Sequence, residues 1–138
     1  MSGPVAQFPF VARDPALGSA SLAPMMPLTL KGTQSLAVSA LLDTGAAVNV
    51  LPYGVGAQLG FVWDQQTTSV QLSGNLASVE ARVVLVAATV AGFPPVRLAF
   101  AWARQDSVPV ILGQVNFFME FDVCFFRSRS LFEVRPRS

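Results

Sequence analysis

The stretch SALLDTGAAVNVLP, Ser39 to Pro52, constrains this chain more than any other. A run beginning at Ser35 delivers one carboxylate, Asp43, directly into Thr44-Gly45. The chain then turns apolar again until Pro52 stops it. Leu36, Val38, Ala40 and Leu42 fall on one face of an extended strand, with Ala37, Ser39 and Leu41 on the other. Both faces are apolar enough to predict a central strand covered on both sides. An acid at the end of such a strand is compatible with an ordinary turn, in which Asp accepts backbone N–H bonds and glycine supplies a positive φ. The triplet alone does not choose between a turn and a reactive site.

The rest of the chain reads as further short strands. PLTLKG, VNVLP, PVRLAFAWA, VPVILG, DVCFF and SLFEVRP are apolar or alternating runs closed by Gly, Pro or charge. TTSVQLSG and NLASVEARVVLVAATV predict a hairpin that turns at Ser73-Gly74-Asn75. YGVGAQLG allows one helical turn ended by Gly60. QVNFFMEF is the best helix candidate, with Val115, Phe118 and Met119 on one face. Residues 1–23 carry Pro4, Pro9, Pro15 and Gly18 and read as an extended arm or leader. Residues 24–138 read as one all-β domain with one or two short helices.

Composition narrows the chemistry. Charged residues are 12% of the 138, against about a quarter in ordinary globular chains, while hydrophobic residues are 52%. So few charges predict that apolar surface is taken up in a subunit interface. Nine basic residues balance eight acidic ones, with no long basic run, so nucleic acid is not the expected partner. Arg127, Arg129, Arg135 and Arg137 read as a solvated C-terminal edge. There is no histidine, which excludes Ser-His and Cys-His pairs and His-bound zinc. The one cysteine, Cys124, lies in FDVCFF and reads as a small core residue. No signal peptide or membrane-spanning run is evident, so no membrane association and a cytoplasmic location are expected.

About seventy residues after Asp43 comes PVILGQVNFF, an apolar strand, a glycine and a helix. With SALLDTGAAVNVLP, GAQLGF and the hairpin at Gly74, it resembles the retropepsin-like aspartic proteases, the retroviral proteases and their cellular and bacterial relatives. The resemblance covers most of the chain from Pro24 onward. It implies a closed β-barrel of the acid protease fold and hydrolysis of peptide bonds by a water, with no cofactor and no metal. Two aspartates from two Asp-Thr-Gly loops do this chemistry in the family. Held about 3 Å apart, they cannot both ionise and share one proton. Only one Asp-Thr-Gly is present here; Asp14, Asp64, Asp106 and Asp122 lack the motif. The resemblance therefore implies a homodimer in which two copies of Asp43 meet on the two-fold axis.

The same resemblance assigns the neighbours. Asp43, Thr44 and Gly45 would be the catalytic loop, with the Thr44 hydroxyl locking the two loops in register. Ala46, Ala47, Val50, Ile111 and Leu112 would contact substrate, and Leu42 and Gly113 would pack behind the loop. Leu72, Ser73, Gly74 and Asn75 would form the tip of a flap over the substrate, within residues 70–78. The chain departs from the retroviral pattern at Ala47, commonly an acid, and at Gln114, commonly an arginine. Those positions pair in the family, and both are neutral here. The alternative reading is a dimerisation or peptide-binding module of the same fold with little or no turnover. A β-barrel binder of small ligands would leave the paired motifs as coincidence.

Overall fold

The fold is described from a computed structural model, over residues 3–138; the first two residues of the expected arm lie outside the described residues. Eleven strands alternate with short helical turns: β1 (Ala6–Pro9), β2 (Val11–Ala12), β3 (Leu22–Ala23), β4 (Met25–Lys31), β5 (Ser35–Leu42), β6 (Asn49–Leu51), β7 (Ala81–Thr89), β8 (Val96–Ala103), β9 (Ile111–Leu112), β10 (Phe121–Phe126) and β11 (Leu131–Pro136). Two α-helices, α1 (Tyr53–Gln58) and α2 (Phe117–Glu120), are a turn or so each. Six strands close a barrel in the order β4-β5-β9-β6-β8-β7. A three-stranded sheet, β1-β11-β10, stands beside it, and β2 pairs with β3.

The strand signals of the sequence map onto strands, with instructive differences. β5 presents Ala40 and Leu42 to the core, but Ser35, Ala37 and Ser39 on its other face are exposed. The long strand covered on both faces is β8; the short strands β6 and β9 are covered on both faces too. Leu98, Phe100 and Trp102 enter the main core, and Ala101 and Ala103 belong to a second apolar cluster on the other side. Alanine is small enough for either face, so the pattern of β5 could not settle which was wet. Trp102 is fully buried; it stacks on Tyr53 at 5.3 Å, meets Trp63 edge-on at 5.3 Å, and donates its indole N–H to the Tyr53 carbonyl at 3.0 Å. This aromatic knot fixes α1 against β8. The chain leaves α1 at Gly60, whose φ of 95° suits a residue without a Cβ.

Three further expectations are corrected. The hairpin at Gly74 has no regular strands beside its tip: β7 begins only at Ala81, one bridge joins Ser69 to Arg82, and the tip is a 3₁₀ turn over Gly74–Leu76. The helix in QVNFFMEF is a single turn, and it buries Phe117, which stacks on Phe121 at 5.0 Å. Val115 and Met119 are 50% and 59% exposed, because one turn is too short for a repeat of three and four to define a face. Cys124 is exposed. In β10 the residues opposite buried Val134 and Phe132 are Val123 and Phe125, so Cys124 shares the outer face with Asp122.

The arm and the C-terminus meet. β1 runs antiparallel to β11, from Ala6 opposite Val134 to Pro9 opposite Leu131. β10 pairs with the other edge of β11 over Phe121–Phe126. The core of this sheet is Phe132, with Phe8, Phe10 and Phe125 packed round it at 5.4, 5.9 and 6.2 Å between ring centroids. Arg127, Arg129 and Arg137 are exposed and Arg135 is half-buried.

Candidate active site

β5 ends at Leu42, and the next residue leaves the barrel wall. The Asp43 N–H donates to the Leu112 carbonyl at 3.0 Å, and the Leu41 N–H to the Val110 carbonyl at 2.9 Å. β5 and β9 run parallel, Leu41 beside Ile111 and Leu42 beside Leu112. β9 also pairs with β6 through Ile111 and Val50. β9 is thus a wedge between the two strands that flank the Asp43 loop, which explains why two motifs seventy residues apart sit together. The loop itself is a tight turn: Asp43 accepts the Gly45 N–H on a carboxylate oxygen at 3.0 Å, and its carbonyl accepts the Ala46 N–H at 3.1 Å. Asp43 is half-buried and has no ion-pair partner among the described residues.

Gly113 follows the wedge with no room for a side chain. A Cβ there would lie 2.5 Å from the Val48 carbonyl oxygen and 2.7 Å from that of Ala46. Its N–H donates to the side-chain oxygen of Asn49 at 2.8 Å. Asn49 is fully buried, the one buried polar residue among those described, and its amide donates to the Ala99 carbonyl at 2.9 Å. Asn116 completes the set: its side-chain oxygen accepts the Ala99 N–H at 3.0 Å and its amide donates to the Arg97 carbonyl at 3.1 Å. Two asparagines thereby tie β6, β8 and the turn after β9 into one support under the Asp43 loop. Gln114 adds a strap, its amide donating to the Thr44 carbonyl at 2.8 Å and its N–H to the Ala46 carbonyl at 2.9 Å. Gln114 and Ala47 are both exposed, so the absence of an ion pair here strands no buried charge.

Asp43 lies in a cleft of about 260 Å³. Gly45, Ala46, Ala47, Val48 and Val50 form one wall, Ile111 the floor, and Gln71, Leu72, Ser73, Gly74 and Leu76 the opposite side. The loop that supplies this side is held at its base by the Val70 N–H on the Ala81 carbonyl, at 3.1 Å, and across its width by the Gln71 amide on the Ala77 carbonyl, at 2.6 Å. Leu72 is buried in the second apolar cluster, with Val50, Ile111 and Ala101.

Two expected contact residues stand elsewhere. Leu112 is fully buried in the main core, because alternation along β9 sends it to the face opposite Ile111. Asn75 is exposed at the loop tip and does not line the cleft. Leu42 and Gly113 lie behind the loop, and Thr44 is exposed beside it. Sequence reasoning passed over Val48, Gln71 and Leu76. Val48 was legible, since alternation from Ala46 to Val50 puts it on their face. Asn49 and Asn116 were passed over as well, although an amide inside an apolar run is itself a signal of a satisfied buried polar group.

Among the described residues no cluster of histidine, cysteine, aspartate or glutamate is placed to hold a metal ion. No helix among them is long and apolar enough to cross a membrane.

The family profile described as aspartyl protease matches residues 26–115. No curated protein matches the chain in sequence. Among solved structures, a retropepsin-like aspartic protease from Rickettsia conorii aligns over 93% of this chain and 98% of its own, with a TM-score of 0.61 and 11% identity. The retroviral protease-like domain of Ddi1 from Leishmania major aligns over 72% and 80%, with a TM-score of 0.54 and 14% identity. The EIAV protease, in complex with the inhibitor HBY-793, aligns over 67% and 82% at 24% identity, with a TM-score of 0.49. The first two share this fold. By profile over most of its length and by fold, the chain belongs to the retropepsin-like aspartic protease family.

Proposed function

We propose that the protein is an aspartic endopeptidase that works as a homodimer. The reading rests above all on one observation: the single Asp-Thr-Gly places Asp43, half-buried and free of an ion-pair partner among the described residues, in a cleft faced by a loop. One such carboxylate does not make the catalytic pair. A second copy brings its own Asp43 across a two-fold axis, and the two acids then share a proton. The ionised member takes a proton from a water, which attacks the scissile carbonyl. The protonated member donates a hydrogen bond to the carbonyl oxygen as it gains charge. Breakdown of the tetrahedral intermediate returns a proton to the leaving amine and restores the pair. Gly45, with no Cβ, lets an extended peptide approach the backbone beside Asp43, and the loop at 70–78 excludes water above it. Residues 24–138 are the catalytic domain in this reading, with residues 1–23 as its arm.

Ala47 and Gln114 favour a second reading, a peptide-binding dimer with little turnover, since an acid after Asp-Thr-Gly-Ala would give a firmer grip on substrate backbone. Cleavage of a peptide library decides between them. The protease reading expects cut products, suppressed by pepstatin and absent from Asp43→Asn, with the variant's circular dichroism and sedimentation unchanged. Peptides bound but uncut by the wild-type chain would establish the second reading. Cleavage that survives Asp43→Asn would remove Asp43 from the mechanism.

A further inference from the structure

We propose that the loop at 70–78 plugs the cleft it covers, with the Leu76 side chain lying where a substrate side chain must go. The inference rests on reading the cleft as a peptide site and adds how access to it is governed. Ser73, Gly74, Asn75, Ala77 and Ser78 are small or polar, so the tip has little of its own to bury. Leu76 is the exception. Gly74, at a φ of 62°, opens a 3₁₀ turn. The N–H groups of Leu76, Ala77 and Val79 then donate to the carbonyls of Ser73, Gly74 and Leu76 at 3.2, 3.2 and 2.9 Å. A tip wound this tightly carries Leu76 back into the Asp43 cleft, half-buried against the second apolar cluster, rather than outward into water.

The floor of the cleft shows the consequence. Ile111 is 9% exposed and Val50 3%, and the apolar cluster that shuts them from water includes Leu72, Leu76 and Val79 of the loop. A peptide that seats a side chain on this floor must take over contacts the loop already makes. Leu72 is not the residue to yield: it is buried, and it follows the leg held by the Val70 N–H on the Ala81 carbonyl. Leu76 is half-buried at the tip, so moving it forfeits less apolar contact. Only the fraction of chains with Leu76 displaced is open to a peptide, and the observed affinity falls below the intrinsic one by that fraction. The loop thereby sets a threshold, which a peptide passes by offering the floor more apolar contact than Leu76 does. A loop that only grips substrate carries the opposite sign, because its leucine then adds contact to the bound peptide.

Shortening that one side chain separates the two. Leu76→Ala keeps the Gln71 bond to the Ala77 carbonyl. It should lower KM for peptide cleavage about fivefold, with kcat within about twofold of wild type. Leu76→Met should keep the wild-type KM, and Leu76→Phe should raise it. Calorimetry with pepstatin should rank the affinities of the same chains in the same order. A readout without turnover comes from Ile111→Cys in a Cys124→Ser background. A small maleimide should label that thiol about fivefold faster once Leu76→Ala is added, because the floor is uncovered more often. Circular dichroism checks that each chain is folded; should Ile111→Cys unfold, the KM series and the pepstatin affinities decide. A KM that rises or stays constant in Leu76→Ala overturns the proposal, as does labelling indifferent to residue 76. A chain that cuts no peptide removes the protease reading, and faster labelling in Leu76→Ala then leaves the plug standing. A chain that cleaves with a KM independent of residue 76 does the reverse.

Discussion

Gly113 and Asn49 carry the geometry of the Asp43 loop although neither reaches the cleft. A methyl group at 113 meets two carbonyl oxygens inside 2.8 Å, and backbone on that side is held by the loop itself. Gly113→Ala should therefore destabilise the fold by about 1–3 kcal/mol, read as a lower urea midpoint. Asn49→Leu keeps the branched shape but takes the side-chain partners from the Gly113 N–H and the Ala99 carbonyl in the interior. A loss on the order of 2 kcal/mol follows. In the protease reading kcat falls further than stability explains, because the turn under Asp43 loosens. Asp43→Asn is the opposite case: a half-buried side chain held by one backbone N–H, whose change should leave the unfolding free energy from urea titration within about 0.5 kcal/mol of wild type.

At the scale of elements, the loop at 70–78 is the part most able to move. It has few buried residues, and its legs are joined by one bridge and by the Gln71 amide reaching the Ala77 carbonyl. Gln71→Ala should raise amide exchange across residues 72–79 while exchange in β7 and β8 stays unchanged. If the loop grips peptide, KM rises several-fold with little change in kcat; unchanged exchange would show that the Gln71 bond does not hold the loop. The sequence signalled this element but mistook its form. Ser73-Gly74-Asn75 reads as a tight hairpin turn, yet the apolar residues around it, Leu72, Leu76 and Val79, are drawn into the second apolar cluster and bend the chain out of strand pairing. α2 failed in the same way, since a single turn takes its face from Phe117 stacking on Phe121 rather than from periodicity.

At the scale of the whole molecule, the homodimer proposal, with its catalytic pair shared between copies, makes activity depend on association. Specific activity should fall on dilution below the dimer dissociation constant, in step with the dimer fraction from sedimentation; activity independent of concentration down to a demonstrated monomer would contradict the two-copy mechanism.

The residues by themselves determined the strand-rich class, the acid set at a strand end and the glycine that closes the second motif. Those are properties of local period, turn chemistry and residue type. That β9 wedges between β5 and β6, that β8 rather than β5 is covered on both faces, that Leu112 turns inward while Ile111 meets the cleft, and that β11 is enclosed by its own chain came only with the tertiary structure. Each depends on which distant strand lies alongside. A strand's own alternation separates its two faces but carries no information about what will cover them.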